Sequence, residues 1–466
     1  MTKQLITNNV GEKPAPIKVI SCWFSVISSR SGQSLIEVMI GLAIGAIMIG
    51  ASALAVSSML GSSVTTQKWR SASGFSQGLL DNVRTYGSSN WQNLYGLTKA
   101  SSTQYFLNAS GTAFRVIQGK EGMLDNDVTN GLVGQWKFDE GVASNGTTYD
   151  ASPNNNNATF STDPVRASST CKIYNCLNFN GSYGGVVSVS NNSVLDIATS
   201  SFSVSLWGYY RDYTYPKAWF MIKKSAYCYS AGYPGWDFGH GYNSTGINAC
   251  FNNGVNSTGN YGLTFDAGYR PTDLVNKWAY LVMVVNRTTN RIQAYVNGVK
   301  QTNELDISGV LGSISNSSPL SVGGMYGWKT DANIDDVRIY NRALSASEVS
   351  QIYKSNIFSR YFYIENTCRT SDASSSISGT SPCSAGSLDD PSTQKINAIT
   401  EWTSNNLVTT QFPLSDYVTR WQNATLQQND WSGGASSTAI VSTPTNVFSS
   451  SSGIDYSTKA IRIQGL

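Results

Sequence analysis

The chain has 466 residues, a formal net charge of +3, 13% charged residues and 40% hydrophobic ones. That length predicts about three domains, and the apolar content supports packed cores rather than wholesale disorder. The weak charge, with no basic face or stripe, argues against nucleic acid as a partner. A single histidine, His240, excludes most histidine-based catalysis and His-Cys zinc chemistry. The 42 glycines, with many Ser, Thr and Asn, read as a β-rich extracellular chain.

The N-terminal 60 residues differ from the rest. Lys3, Lys13, Lys18 and Arg30 face only Glu12 in the first 32 positions, which accounts for the whole net charge. The run LIEVMIGLAIGAIMIGASALAVSSML follows, and Val38 to Leu60 contains no charged residue. As a helix that stretch is about 34 Å long, enough to cross a bilayer core. The basic flank places its N-terminal side in the cytoplasm. Glu37 is the odd residue. A carboxylate near the start of a membrane helix is costly, so it implies a role and a partner.

Glu37 sits in the string S-G-Q-S-L-I-E-V-M-I-G, which resembles the N-terminal signal of type IV pilins and type II secretion pseudopilins. The resemblance implies a leader ending in Gly that is cut by a prepilin peptidase, N-methylation of the new first residue, and a Glu at the fifth mature position. By that resemblance the cut would fall between Gly32 and Gln33, Gln33 would be methylated, and Glu37 would be the fifth mature residue. Two departures exist: many members have Phe or Met where Gln33 stands, and the 32-residue leader is long, with an apolar patch over Val19 to Ile27. Inside a filament core, Glu37 would pair with the α-amino group of Gln33 from a neighbouring subunit, because an unpaired buried charge is costly. Expected partners are therefore other pilin subunits, the prepilin peptidase and the inner membrane before assembly. The expected localisation is a single-pass membrane precursor, then an extracellular filament or the cell surface.

Beyond the membrane segment, Phe75, Leu79, Leu80, Val83 and Tyr86 recur near helical spacing, and Gly87-Ser-Ser-Asn is a stop signal. The helix is therefore assigned to 33–86. From about residue 131 short strand-like runs recur, separated by Asn/Gly/Ser turns. They are Leu132–Phe138, Leu177–Asn180, Val186–Val189, Phe202–Tyr209, Trp219–Lys223, Tyr280–Asn286, Arg291–Val296, Leu320–Val322 and Ile334–Tyr340. Asn297-Gly298 is a hairpin signal. Many short strands argue for an antiparallel sandwich or jelly roll. GLVGQWKFDEG, DASPNNNNATF, LNFNGSYGGVVSV, FSVSLWGYY, KWAYLVMVVN and NIDDVRIYNRALSASEVSQIY follow in order, and together they resemble a bacterial laminin-G-like, concanavalin A-like jelly roll. In the last string Ser345 is a fitting N-cap with Glu348 three residues on, a capping box ahead of a short helix over Ala346–Lys354.

The resemblance implies binding to carbohydrate or protein, and in some members a structural calcium ion held by Asp, Asn and backbone carbonyls. Asp150, Asn180 and Asp335 are the calcium candidates; turns and strand ends are the competing use for them. Tyr and Trp crowd residues 209–242, and flat rings suit sugar faces. Tyr213, Tyr215, Trp219, Tyr233 and Trp236 are the candidate ligand-binding residues, with a core role as the alternative. Glu304-Leu305-Asp306 comes nearest to a glycosidase carboxylate pattern, but position 308 is Ser, so no enzyme is expected.

Residues 87–130 and 357–430 each fall short of a domain. They are read as one split pilin-like head of antiparallel strands on the N-terminal helix, with 131–356 inserted as the jelly roll. The region 431–466 is a Ser/Gly-rich tail ending in a short strand. The fold class is thus α+β pilin-like plus an all-β sandwich. Of seven cysteines, Cys22 leaves with the leader. The remaining six suit an oxidising compartment, with neighbour pairing Cys171–Cys176, Cys228–Cys250 and Cys368–Cys383 preferred among 15 connectivities. The function expected is a minor pilin-like subunit displaying a lectin or adhesin domain. The alternatives are a pseudopilin in which the sandwich is a spacer, and a surface glycoside hydrolase.

Overall fold

A computed structural model describes residues 35–110, 113–141, 146–160, 164–167, 169–181, 185–211, 219–224, 232–240, 246–258, 262–264, 271–324, 330–370, 376–380, 382–403, 408–420, 454–455 and 462–463. The chain forms two compact units, Met1–Val64 and Thr65–Leu466. The first elements are α1 (Leu35–Ser89), α2 (Trp91–Tyr95), β1 (Tyr105–Ser110), β2 (Ala113–Gln118) and β3 (Glu121–Leu124). Next come β4 (Leu132–Trp136), β5 (Thr147–Thr148), β6 (Ala158–Phe160), β7 (Val165–Ala167), β8 (Cys176–Asn180), β9 (Val187–Val189), β10 (Phe202–Tyr210) and β11 (Trp219–Lys223). They are followed by β12 (Gly235–His240), β13 (Gly246–Asn252), β14 (Gly262–Thr264), α3 (Pro271–Leu274), β15 (Trp278–Asn286), β16 (Arg291–Val296), β17 (Val299–Asp306), β18 (Leu320–Val322) and β19 (Asp331–Tyr340). The last are α4 (Ala346–Lys354), β20 (Ile357–Arg369), β21 (Ile377–Thr380), β22 (Leu388–Thr403), β23 (Thr409–Thr419), β24 (Ile454–Asp455) and β25 (Arg462–Ile463).

Strands from both ends of the second unit make one antiparallel sheet in the order β2-β1-β20-β22-β23, with β3 and β21 also on β20. Its inner face lies on the C-terminal part of α1. Leu79, Leu80, Val83 and Tyr86 pack on Phe362, Ile364, Ile396, Ala398 and Val418. These are the helical-period residues of the sequence, and the turn before them adds Ala72 and Ser76, whose hydroxyl meets Thr400 Oγ1 at 2.8 Å. Gly87 has no side chain because Leu94 Cδ2 and Val418 Cγ1 come within 3.1 and 3.6 Å of where a Cβ would stand. The helix ends at Ser89, three residues past the end expected, and Asn90 caps the short α2 by accepting from Gln92 N–H.

Residues 132–340 form two sheets packed face to face, β17-β16-β15-β10-β19-β8-β7 with β4 beside β19, and β14-β13-β12-β11-β18-β9-β6-β5. Val204, Leu206, Leu281, Met283, Phe238 and Phe251 are among the side chains between them. The first sheet is also covered outside. Trp207, Tyr280, Val282 and Tyr340 pack under Val349 and Ile352 of α4 and under Leu124 and Val128. This explains why β15 reads AYLVMVV without alternation: a strand buried on both faces has no polar side. The Asn297-Gly298 turn has φ of 51° and 79°, the left-handed pair that a two-residue hairpin requires. Ser345 caps α4, and its hydroxyl and backbone exchange hydrogen bonds with Glu348. Arg342 and the cap hold the Glu348 carboxylate down at about 2.

The chain leaves the head sheet and returns to it at one point. Leu124 of β3 stands opposite Ile357 of β20, and Asp125 N–H donates to Asn356 O at 3.2 Å. Beside this point lies a buried ionic cluster. Glu121 accepts from Lys137 at 2.7 Å and from Arg360 at 2.8 Å. Burial opposes its ionisation, but those two cations hold its carboxyl below the ordinary range. Arg338 pairs with Asp127 and Asp336. Gly122 N–H donates to Asp139 Oδ2 at 2.7 Å, and a Cβ on Gly122 would lie 2.3 Å from Ile173, so strand and loop touch backbone to side chain. Asp335 Oδ2 accepts from Lys172 and Ile173 N–H, while Oδ1 is buried with no partner. Burial, with the charges of Glu121 and Glu140, pushes Asp139 well above the carboxylate range, and burial, with those of Asp139 and Asp336, does the same to Asp335.

Two predictions follow from these contacts. Ser345→Ala removes the cap and lowers stability by about 1 kcal/mol, measured by chemical denaturation of the chain in detergent; no change would show the cap to be idle. Asp139 and Asp335 are protonated more readily folded than unfolded. Their contribution is therefore complete below about pH 4 and is lost as pH rises through their folded-state values. The thermal midpoint should therefore fall as pH is raised above about 4. Asp335→Asn, which keeps the two backbone hydrogen bonds, should reduce that fall, by roughly 2–4 °C per kcal/mol recovered. An unchanged pH slope in the variant would contradict the assignment.

Candidate functional site

Two surfaces carry the functional residues expected from the sequence. The first is the N-terminal part of α1. Glu37 stands in its first turn. Around it the apolar side chains are uncovered, with Leu35 78%, Leu42 70%, Ile49 73% and Met59 77% exposed. This helix is long and apolar enough to cross a membrane by length and composition. So large an uncovered apolar surface requires lipid or other helices around it. Gly32 and Gln33 lie outside the described residues.

The second is the jelly roll, where the structure separates the expected rim residues. Tyr213 and Tyr215 lie outside the described residues, and Trp219 opens β11 with its side chain outside them too. Tyr233 is 45% exposed. Trp236 is a correction: it is 2% exposed and lies against Phe202, ring centroids 5.2 Å apart, inside the sandwich core. Strand alternation puts it on the same inward face as Phe238. Tyr210 is likewise buried.

The calcium candidates are not gathered. Asp150 is buried and already accepts from the N–H groups of Gln135, Ser152 and Asn156 and from Ser152 Oγ, at 2.8–2.9 Å. It closes the 150–156 turn. Asn180 is exposed at the end of β8, opposite Asp331. Asp335 is four residues further along β19, about 13 Å away at strand spacing, and faces the 172–173 loop. Among the described residues no group of three or more His, Cys, Asp or Glu side chains could hold a metal ion. Glu121, Asp127 and Asp336 instead meet Lys137, Arg338 and Arg360. Sequence reasoning missed this cluster because its members are scattered from 121 to 360. The signal was present in the KFDEG and IDDVRIY strings, each of which puts acids and a base in or beside a buried strand.

The carboxylates nearest to a glycosidase pattern are both paired. Glu304 meets Lys300, and Asp306 meets Arg291 at 2.5 Å. Backbone and side-chain bonds from Ser308, then Arg291, hold Asp306 at about 2, and Lys300 holds Glu304 below its ordinary range. Neither has the raised value a general acid uses. Disulfides join Cys171 to Cys176 and Cys368 to Cys383. Cys250 is disulfide-bonded, and Cys228 lies outside the described residues.

Residues 27–62 match the family described as the prokaryotic N-terminal methylation motif, and residues 180–350 match the concanavalin A-like lectin/glucanases superfamily. A search of curated proteins finds no match. Among solved structures, the chain is similar to the binding domain of Paraclostridial Mosquitocidal Protein 1, at 15% identity over 60% of this chain and 72% of that one, TM-score 0.38. It is similar to the binding domain of botulinum neurotoxin serotype G, at 13% identity over 62% and 79%, TM-score 0.37. It is also similar to Trypanosoma rangeli sialidase in complex with the inhibitor DANA, at 14% identity over 48% of this chain and 33% of that one, TM-score 0.35. The chain thus spans about a third of the sialidase's length. The chain thus joins a prokaryotic N-terminal methylation motif, the type IV pilin-type signal, on an uncovered apolar helix to a concanavalin A-like, laminin-G-type domain in its sandwich.

Proposed function

We propose that this chain is a low-abundance filament subunit that displays its jelly roll as a lectin or adhesin domain. The observation that carries the reading is the joining of a methylation-type helix, its apolar surface uncovered, to a lectin-superfamily sandwich. The helix supplies anchorage in the membrane and then among sister helices. The head sheet packs on the same helix and holds the sandwich through the Glu121 cluster. A domain that large crowds a dense filament, which favours a minor or tip position. The paired states of Glu304 and Asp306 support a binding role over hydrolysis. A structural calcium ion is kept as a condition to be tested, not as part of the reading.

Glu37→Ala should leave leader cleavage intact but remove the chain from sheared filaments by at least about tenfold, because an unmatched buried charge in the core disfavours register. Normal incorporation of the variant would contradict that role. For the display function, the full-length chain in detergent is applied to a glycan array with calcium and with chelator. Selective binding is expected, and its loss under chelation would bring in the ion. Absence of glycan binding in both conditions would overturn the lectin reading and favour a spacer or a protein-binding module.

A further inference from the structure

The lectin reading needs a docking place. Of the rim residues expected from the sequence, Tyr233 is the one whose side chain the structure describes as exposed. The loop that carries it leads to a cleft. Gly232 N–H donates to Gly254 O at 2.7 Å, which ties the Tyr233 turn to the turn after β13. Beyond that turn lies an open cleft of about 640 Å3, at the edge where the two sheets of the sandwich meet. Val255 and Asn256 form one wall, and Leu305, Asp306, Gly309 and Val310 form the other.

We propose that this cleft is the glycan-docking site of the domain and that it takes an uncharged saccharide. The proposal rests on the lectin reading above and names its site and ligand class. The cleft's volume is in the range of small-ligand sites, roughly 300–1,000 Å3.

Both walls are stiff before any ligand arrives. Asn253 Oδ1 accepts from Val255 and Asn256 N–H at 3.0 and 2.7 Å, and Asn253 Nδ2 donates to Leu311 O across the cleft's end. Asn252 Oδ1 accepts from Gly254 N–H at 2.6 Å. On the other side Arg287 donates to Val310 O and Gly312 O at 2.9 and 2.8 Å, and Asp306 Oδ1 accepts from Ser308 N–H at 2.7 Å. A preformed site of this kind loses little freedom on binding.

The turn spends its rigidity on holding Val255 out, 81% exposed, with Leu311 beside it 60% exposed. Exposed aliphatic side chains on a rigid turn suit the C–H face of a sugar ring. The Asn256 carboxamide makes no hydrogen bond within the described residues, and the Asp306 carboxylate lines the same cleft. A planar amide and a carboxylate facing one cleft suit pairs of hydroxyls. The ligand should be uncharged because Asp306 is ionised at every physiological pH, Arg291 is already paired with it, and the Arg287 guanidinium is engaged by the Val310 and Gly312 carbonyls. An acidic sugar would meet that carboxylate without a free positive partner.

The test compares three full-length chains in detergent on an array carrying both uncharged and sialylated glycans. They are the wild type, Asn256→Ala and Gly309→Trp. A side chain at Gly309 meets open space at its Cβ, so the substitution fills the cleft without crowding the fold. Asn256 is exposed, so its replacement keeps the test alive should the larger one misfold; thermal midpoints check both. Expected is wild-type binding to uncharged glycans, about tenfold weaker in Asn256→Ala and abolished in Gly309→Trp. Wild-type binding that both folded variants retain would exclude this cleft while leaving the lectin reading standing. Binding only to sialylated glycans would overturn the ligand class. No binding by the wild type would overturn the lectin reading and this site with it.

Discussion

The constraint on which this protein depends is the need to cover the apolar surface of one helix. From Val38 to Leu60 the chain offers no charge, and in α1 those side chains lie open. Water cannot be their environment, so the segment commits the molecule to a bilayer or to a bundle of like helices. Glu37 sharpens the choice. In lipid it is a liability near the helix start; among sister helices it can be matched with a charge of opposite sign. The C-terminal half of the same helix has a different surface. There one stripe is apolar, and the head sheet covers it.

How the sandwich is held follows from a second physical choice. Glu121 is buried between the half-buried Lys137 and Arg360, one from β3, one just after β4 and one from β20. A buried ion pair adds little net stability, but losing one member is severe, about 3–5 kcal/mol. Such a cluster therefore fixes geometry more than it strengthens the fold. It stands where the chain leaves and re-enters the head sheet, which makes the sandwich a fixed extension of the head. Asp139 and Asp335, whose carboxyls burial pushes well above the carboxylate range, sit in the same region and make that joint sensitive to rising pH.

Much of this was legible in the residues, and the exceptions have physical reasons. Local signals read true. Ser345 with Glu348 is a capping box, Asn297-Gly298 is a tight hairpin, and Arg291–Val296 and Leu320–Val322 are strands as delimited from the sequence. Three of the longer strands were missed, for two reasons. Gly235–His240 and Gly246–Asn252 are interrupted by glycine, asparagine and cysteine, and Val299–Asp306 is a polar edge strand with only one face to bury. Trp236 was misplaced because an aromatic count over a segment ignores which face each ring takes. The ionic cluster at the joint and the cleft beside Val255 were invisible for a different reason. Each is made by residues tens or hundreds of positions apart, and only the folded chain brings them together.

The account stands or falls on whether the sandwich is displayed from a filament. The direct measurement is immunogold electron microscopy of intact cells with an antibody against the jelly roll. The account predicts gold on extracellular filaments, sparse or at their tips, in cells with the native chain. Label confined to the cell envelope, with filaments present and bare, would contradict it.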